Sequence, residues 1–455
     1  MKYVLPVVGT VAAVSLFAIS TANQAALAVE KPSYTDTFEQ LDLFADVMAR
    51  VRSDYVVEVE DGELIEDAIN GMLQSLDPHS SYVNPDDFRR LQEQTSGRYV
   101  GVGMEVTQED GYVKVVAPID GSPAKEAGIE PGDYITEING KTVLGLSLTE
   151  AVNTIRGEAG ESVTLTIARM DEEPQDITLV RREVDREVVS YEIMDGVPYI
   201  RISQFNEKAS SGLEGAIAEL RRQVSGRLPG IVLDLRSNPG GLLTESIKVS
   251  SVFLDGEKVV STRGRDGADQ QNYNAESGEL LENVPVVVLI DEASASASEI
   301  VAGAIQDHGR GIVIGMTSFG KGSVQSLIPL RGGRDGALRL TTQRYYTPEG
   351  RSIQGTGIDP DLFVSSYPND GEDHSRMSER DLPNAIENED AATDDVEPAN
   401  ENGSETAVTI ESDADDIVID YPPDDFDVQE DYQLQRALEL IRTGAYTQRL
   451  AELQN

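Results

Sequence analysis

The sequence predicts an α/β protein: a core of parallel strands joined by crossover helices, a smaller mixed domain before it, and helices at the start. Three observations lead there. Continuous apolar runs at 230–235, 284–290 and 311–315 read as buried strands, and a loop and a helical segment follow each of the first two. Strand–loop–helix repeated in this way indicates a parallel sheet. Between 96 and 183 the pattern differs, with short strands at 112–117 and 163–168, Gly and Pro turns, and one helix at 148–156. Earlier still, Leu64, Ile65, Ala68, Ile69, Met72, Leu73 and Leu76 recur at helical spacing.

Taken in order, the chain opens on Met1-Lys2, an apolar run at 4–19 and an Ala26-Leu27-Ala28 ending. A basic start, a short apolar run and small residues predict a secretory signal peptide, 1–28, cut after Ala28. The alternative is an uncleaved segment that anchors the chain in the inner membrane. The run falls short of the ~20 apolar residues a span takes, and no later stretch is long enough. Cleavage makes the protein periplasmic or secreted. The helical region occupies 29–95, the mixed domain 96–186 and the α/β core 187–366. From 367 to 430 the chain is acidic, with Arg376 and Arg380 as its strong bases and few large apolar residues. Burial there does not offset chain entropy, so a disordered linker is expected. A helical pattern returns over 431–455 through Leu434, Ala437, Leu438 and Ile441.

Composition narrows the chemistry. The 455 residues call for two or three folded units. A formal charge of −44 repels phosphate and argues against nucleic acid as a partner. There is no cysteine, and His79, His308 and His374 are the only imidazoles. Thiol nucleophiles and Cys-zinc sites are excluded, and His-based metal sites or triads are disfavoured. No cofactor and no metal are expected.

Four segments carry candidate chemistry. Ser294-Ala295-Ser296-Ala297-Ser298-Glu299 lies between a buried strand and an amphipathic helix. A serine there sits at a helix N-terminus, where free N–H groups and the dipole stabilise an oxyanion. Serine is also a routine helix cap, and taken alone the segment reads as one. Gly320-Lys321-Gly322-Ser323-Val324-Gln325 follows the next strand, which would bring Lys321 beside Ser296. A lysine acts as general base when burial lowers its pKa, and Gln325 could orient its amine. A solvated lysine is the plain alternative; a phosphate loop is excluded because glycine follows Lys321. Asn238-Pro239-Gly240-Gly241 after a buried strand offers bare N–H groups for half an oxyanion hole, with Ala297 supplying the other half, or is an ordinary turn. Last, Val100-Gly101-Val102-Gly103-Met104 precedes a strand and could hold a carboxylate on backbone N–H groups.

In order and spacing these motifs resemble the carboxyl-terminal processing peptidases, or tail-specific proteases. The likeness runs from about residue 36 to 365, plus the last helix, and takes in Leu76-Asp77-Pro78-His79-Ser80-Ser81-Tyr82 and Tyr345-Tyr346-Thr347-Pro348-Glu349-Gly350. The resemblance implies a ClpP/crotonase-like α/β core with a PDZ domain inserted before it and N-terminal helices. It implies Ser296 as nucleophile, Lys321 as general base, Gln325 as its orienting partner, and Ala297 with Gly241 (or Gly240) as oxyanion hole. It also implies that 100–104 hold the carboxylate of exposed apolar C-termini, and that the chain cuts proteins near those termini. An adaptor protein and a homo-oligomer stay open as further partners. An inactive PDZ scaffold or chaperone for envelope proteins is the alternative function. The acidic stretch before the last helix is longer than in relatives, and Met316 and Thr317 replace residues that are often different there.

Overall fold

The computed structural model describes residues 34–389 and 419–454, except positions 110, 120, 170, 171, 225, 266, 268, 372, 373, 375, 424, 425, 428 and 429. The segment read as a signal peptide lies outside the described residues. The chain divides into one unit ending at Asp67 and another beginning at Ala68. The first contains the helix Tyr34–Asp54, whose Phe38, Leu41, Phe44 and Val47 are exposed.

The second unit is organised on a six-stranded sheet. Its order is Val189–Met194, Val197–Ile202, Ile231–Asp234, Val286–Ile290, Ile312–Gly315 and Leu362–Phe363. The first pair is antiparallel and every later pair is parallel. The central strands read as unbroken apolar runs because both faces are covered. Alternate residues go to opposite sides. Leu233, Val288 and Val313 pack with helices Ala209–Gln223, Leu243–Ser251 and Ala297–Asp307. Val232, Val287, Leu289 and Ile314 meet Ala437, Leu438 and Ile441 of the helix Tyr432–Thr443. Burying Leu438 and Ile441 contributes roughly 3–6 kcal/mol, so the last segment is docked on the core despite the long stretch before it. The sequence reading expects one helix there. Gly444, with φ 74° in the left-handed region, splits it into Tyr432–Thr443 and Ala445–Leu453.

The smaller domain is a separate sheet of Met104–Glu109, Tyr112–Pro118, Tyr134–Ile138, Ser162–Ala168 and Gln175–Val180. Val113, Val115, Ile135, Val163 and Leu165 fill its core beside the helix Leu148–Ile155. The pairing of Arg98–Gly101 with Arg182–Asp185 brings its entry and exit together. An insertion needs that closure.

The disordered linker expected at 367–430 is corrected over its first part. Residues 376–389 carry a short 3₁₀ turn, Glu379–Asp381. Glu379 is buried and its N–H donates to the Phe319 carbonyl. Asp420 forms a bridge with Val364. Polar contacts to the core, which an apolar count does not register, hold these residues. Positions 390–418 lie outside the described residues.

Candidate active site

Ser296 stands where the strand Val286–Ile290 turns into the helix Ala297–Asp307. Its backbone, φ 56° and ψ −111°, is far from the extended geometry of an ordinary cap. A non-glycine residue there stores strain of about 1–3 kcal/mol, which the surroundings must hold. They do. Ser294 Oγ donates to the Leu235 carbonyl at 2.9 Å, and Ser298 Oγ to the Asn238 carbonyl at 2.9 Å. Both flanking serines therefore tie the turn to the loop after the strand Ile231–Asp234.

Glu299, one helical turn on, is fully buried and joins the two candidate groups. Its Oε2 accepts the N–H of Ser296 at 2.6 Å and the N–H of Lys321 at 3.0 Å. Its Oε1 accepts Ser318 Oγ at 2.6 Å and the Gly320 N–H at 2.7 Å. Burial pushes its carboxyl up to about 7, against the pull of these four donors. The serine turn and the lysine loop are thus pinned to one carboxylate. Parallel pairing of Ile290 with Gly315 makes this possible. Tyr345, also buried, donates its hydroxyl to the Lys321 carbonyl.

Burial lowers the pKa of Lys321. The carboxylates of Glu379, Glu299 and Asp77 oppose that shift and Arg339 adds to it. Gln325 is not on the lysine in this arrangement. Its amide nitrogen donates to Ser323 Oγ at 2.9 Å and Thr341 Oγ1 at 3.3 Å.

The two glycines separate in role. Gly240 is corrected as a donor, since its N–H is given to Asn238 Oδ1 at 2.9 Å. What it supplies is the missing side chain, because a Cβ there would lie 2.8 Å from both the Ala297 nitrogen and Ser296 Cβ. Gly241 bridges Phe205 through its neighbours: Phe205 N–H donates to the Gly240 carbonyl and Leu242 N–H to the Phe205 carbonyl. Its own N–H, like that of Ala297, has no partner among the described residues.

In the smaller domain, Val100 and Gly101 pair with Glu183 and Arg182. The carbonyls of Val102 and Gly103 accept the N–H groups of Ala124 and Ile119, while their own N–H groups have no partner among the described residues. Met104 begins the strand Met104–Glu109. A Cβ on Gly103 would sit 2.2 Å from Ser122 Cβ. Gly101, Val102, Gly103 and Met104 line a cavity of about 1070 Å³ with Val152, Ile155 and Arg156, and Val100 is not part of its wall.

Sequence reasoning placed Glu299 inside a motif without a role, although a serine followed three residues later by glutamate is itself a capping signal. It assigned nothing to Tyr345, Asp77 or Glu379, which reach the site only through tertiary pairing.

The models of three families match the chain: peptidase family S41 over residues 196–364, the PDZ domain over 114–169, and the activating protease CtpB N-terminal domain over 5–87. An S41 α/β core carrying an inserted PDZ domain defines a serine-type protease, and PDZ domains bind peptide C-termini. The chain is 50% identical to a carboxy-terminal-processing protease of Bartonella bacilliformis over 331 residues, 72% of this chain and 76% of that one. It is 36% identical to a "Probable CtpA-like serine protease" of Staphylococcus haemolyticus over 70% of this chain, and spans 63% of that relative's length. A solved photosystem II D1 C-terminal processing protease shares 28% identity, with 71% of this chain and 87% of that one covered and a TM-score of 0.40. The chain belongs to the carboxy-terminal-processing protease family.

Proposed function

We propose that the protein is an endopeptidase that cuts exported proteins near their C-termini through Ser296 and Lys321, after its PDZ domain has taken up an exposed apolar tail. The neutral Lys321 amine accepts the Ser296 hydroxyl proton as Oγ attacks the scissile carbonyl. The N–H groups of Ala297 and Gly241 receive the oxyanion. As the tetrahedral intermediate collapses, the leaving amine takes the proton from the Lys321 ammonium and an acyl ester remains on Ser296. Water then attacks the ester as Lys321 removes its proton, and collapse breaks the acyl–Oγ bond, Lys321 returning the proton to Ser296 Oγ as the carboxylic acid product leaves. Gln325 orients the amine after giving up its bonds to Ser323 and Thr341. The N–H groups of Val102 and Gly103 hold the tail carboxylate, and Val152 and Ile155 face its apolar side chains.

The observation that carries this reading is the strained Ser296 turn sharing one carboxylate oxygen with the Lys321 backbone. A helix cap has no need of either feature. Ser296→Ala and Lys321→Ala should each abolish cleavage of an unfolded substrate with an apolar C-terminus, leaving the far-UV circular dichroism unchanged. Full activity in Ser296→Ala would sink the assignment. Tight tail binding by the wild type without turnover would instead favour the inert scaffold. We further propose that residues 1–28 direct export and are removed, so that the protein acts in the periplasm or is secreted. N-terminal sequencing of the protein from its own cell envelope tests this. A mature chain starting at Met1 would support the inner-membrane anchor.

A further inference from the structure

The loop that carries Lys321 is held by a segment that composition assigns to a linker. Glu379 comes from the stretch after the core, 58 residues beyond Lys321 in the chain. Its carboxylate is buried and bonds His79 Nε2 through both oxygens at 2.8 Å. Gln354 Nε2 donates to Glu379 Oε1 at 3.0 Å, and Gln354 Oε1 accepts the Gly322 N–H at 2.9 Å. The Glu379 N–H donates to the Phe319 carbonyl at 3.0 Å. The lysine loop is therefore gripped on both sides of Lys321, at Phe319 and at Gly322, by one residue and its bridge. A buried carboxylate is costly unless paired and hydrogen-bonded.

We infer that Glu379 is a positioning residue of the proteolytic site: with His79 and Gln354 it clamps the loop 319–322, and its carboxylate sets the charge beside Lys321. The inference rests on Lys321 acting as the base. The groups facing Lys321 are the carboxylates of Glu379, Glu299 and Asp77, the Arg339 guanidinium, and the Tyr345 hydroxyl at its carbonyl. Those bonded to the Glu379 carboxylate are His79 and Gln354. Of the carboxylates, Glu299 is spent on four donors, and Asp77 accepts from Ser80, Thr341 and the His79 N–H. Glu379 is also the largest of the opposing charges on Lys321. It favours the ammonium form, so the fraction of free base at a given pH depends on it. The Glu379 part of the acidic segment is thereby part of the site wall.

The test is the pH dependence of kcat and kcat/KM for the full chain on a fluorogenic peptide with an apolar C-terminus. In Glu379→Gln the rising limb of kcat/KM moves to lower pH by about one unit, because a negative charge near the amine is gone. Its plateau kcat falls roughly tenfold, because the loop is looser. In Glu379→Asp the charge stays but no longer reaches both partners, so the limb holds its place while the plateau falls. A Glu379→Gln profile that does not move overturns the charge role. Should that variant fail to fold by circular dichroism, Gln354→Met decides for the clamp: a lowered plateau with an unmoved limb supports it, and a wild-type kcat overturns it. Ser296→Ala is run beside them. If it still cuts, the Ser–Lys reading fails and takes this inference with it. If it is silent while the Glu379 variants behave as wild type, only the inference fails.

Discussion

Replacing Glu299 with glutamine tests the joint between the two halves of the site. In the wild type each carboxylate oxygen accepts two donors. An amide nitrogen in place of either oxygen faces two donors with a donor of its own. Leaving buried donors unmet costs about 1–3 kcal/mol each. The N–H groups of Ser296 and Lys321, whose spacing the carboxylate sets, are one such pair. The pH dependence gives a second magnitude. Burial holds the Glu299 carboxyl at about 7 instead of its ordinary 4.5. An acid whose pKa is raised on folding binds its proton more tightly in the folded state. Its contribution is therefore fully present below pH 4.5 and is lost as pH rises through 7. At ~1.4 kcal/mol per pH unit, about 3 kcal/mol of stability disappears across that window. The uncharged variant lacks this slope. Urea denaturation from pH 4.5 to 7.5, taken as the difference between wild type and Glu299→Gln, isolates it from the many other carboxylates. In parallel, kcat at pH 8 should fall at least tenfold with KM little changed, because the reacting groups are misplaced while the PDZ site is untouched. Parallel stability curves, or a variant with wild-type kcat, would refute the reasoning.

Three further outcomes follow from the same geometry. A Cβ on Gly241 would lie 2.2 Å from the Phe205 carbonyl oxygen, so Gly241→Ala must push the loop away. With its N–H moved out of the oxyanion position, kcat should fall about 10²–10³-fold in steady-state assays. Gly103→Ala meets Ser122 Cβ at 2.2 Å; KM should rise about tenfold for substrates with apolar tails while short peptides lacking a tail are cut as before, which a comparison of the two substrate sets checks. Leu438→Ala, in the helix on the rear of the sheet, should cost about 2–4 kcal/mol by urea denaturation and leave kcat unchanged.

Much of the core was readable because its strands are buried on both faces and its helices follow at regular intervals. The runs at 230–235 and 284–290 became Ile231–Asp234 and Val286–Ile290 with small changes at their ends. The order of strands along the chain is also their order in the sheet over the four from Val197 to Gly315. That is why the loops after successive strands lie together, as the order of the apolar runs predicts. The first part of the stretch after 366, up to residue 389, departs from the expected disorder for an identifiable reason. Disorder was inferred from scarce apolar residues, yet residues near Glu379 are held by one buried carboxylate and its donors. Composition counts residues and does not see partners 300 positions away, such as His79.

The sequence by itself determined the parallel α/β core, the inserted domain, the identity of Ser296 and Lys321 as candidates, and the glycines that only bare backbone can satisfy. These follow from local pattern, where spacing dictates period and Gly–Gly dictates close approach. Packing settled which glycine keeps an N–H without a partner among the described residues, and that Ser296 is strained rather than a relaxed cap. It also decided that Gln325 rests away from Lys321, and that Glu299 and Glu379 bracket the lysine loop. Each of these depends on hydrogen bonds between segments far apart in the chain, whose partners are set by packing and not by neighbouring residues.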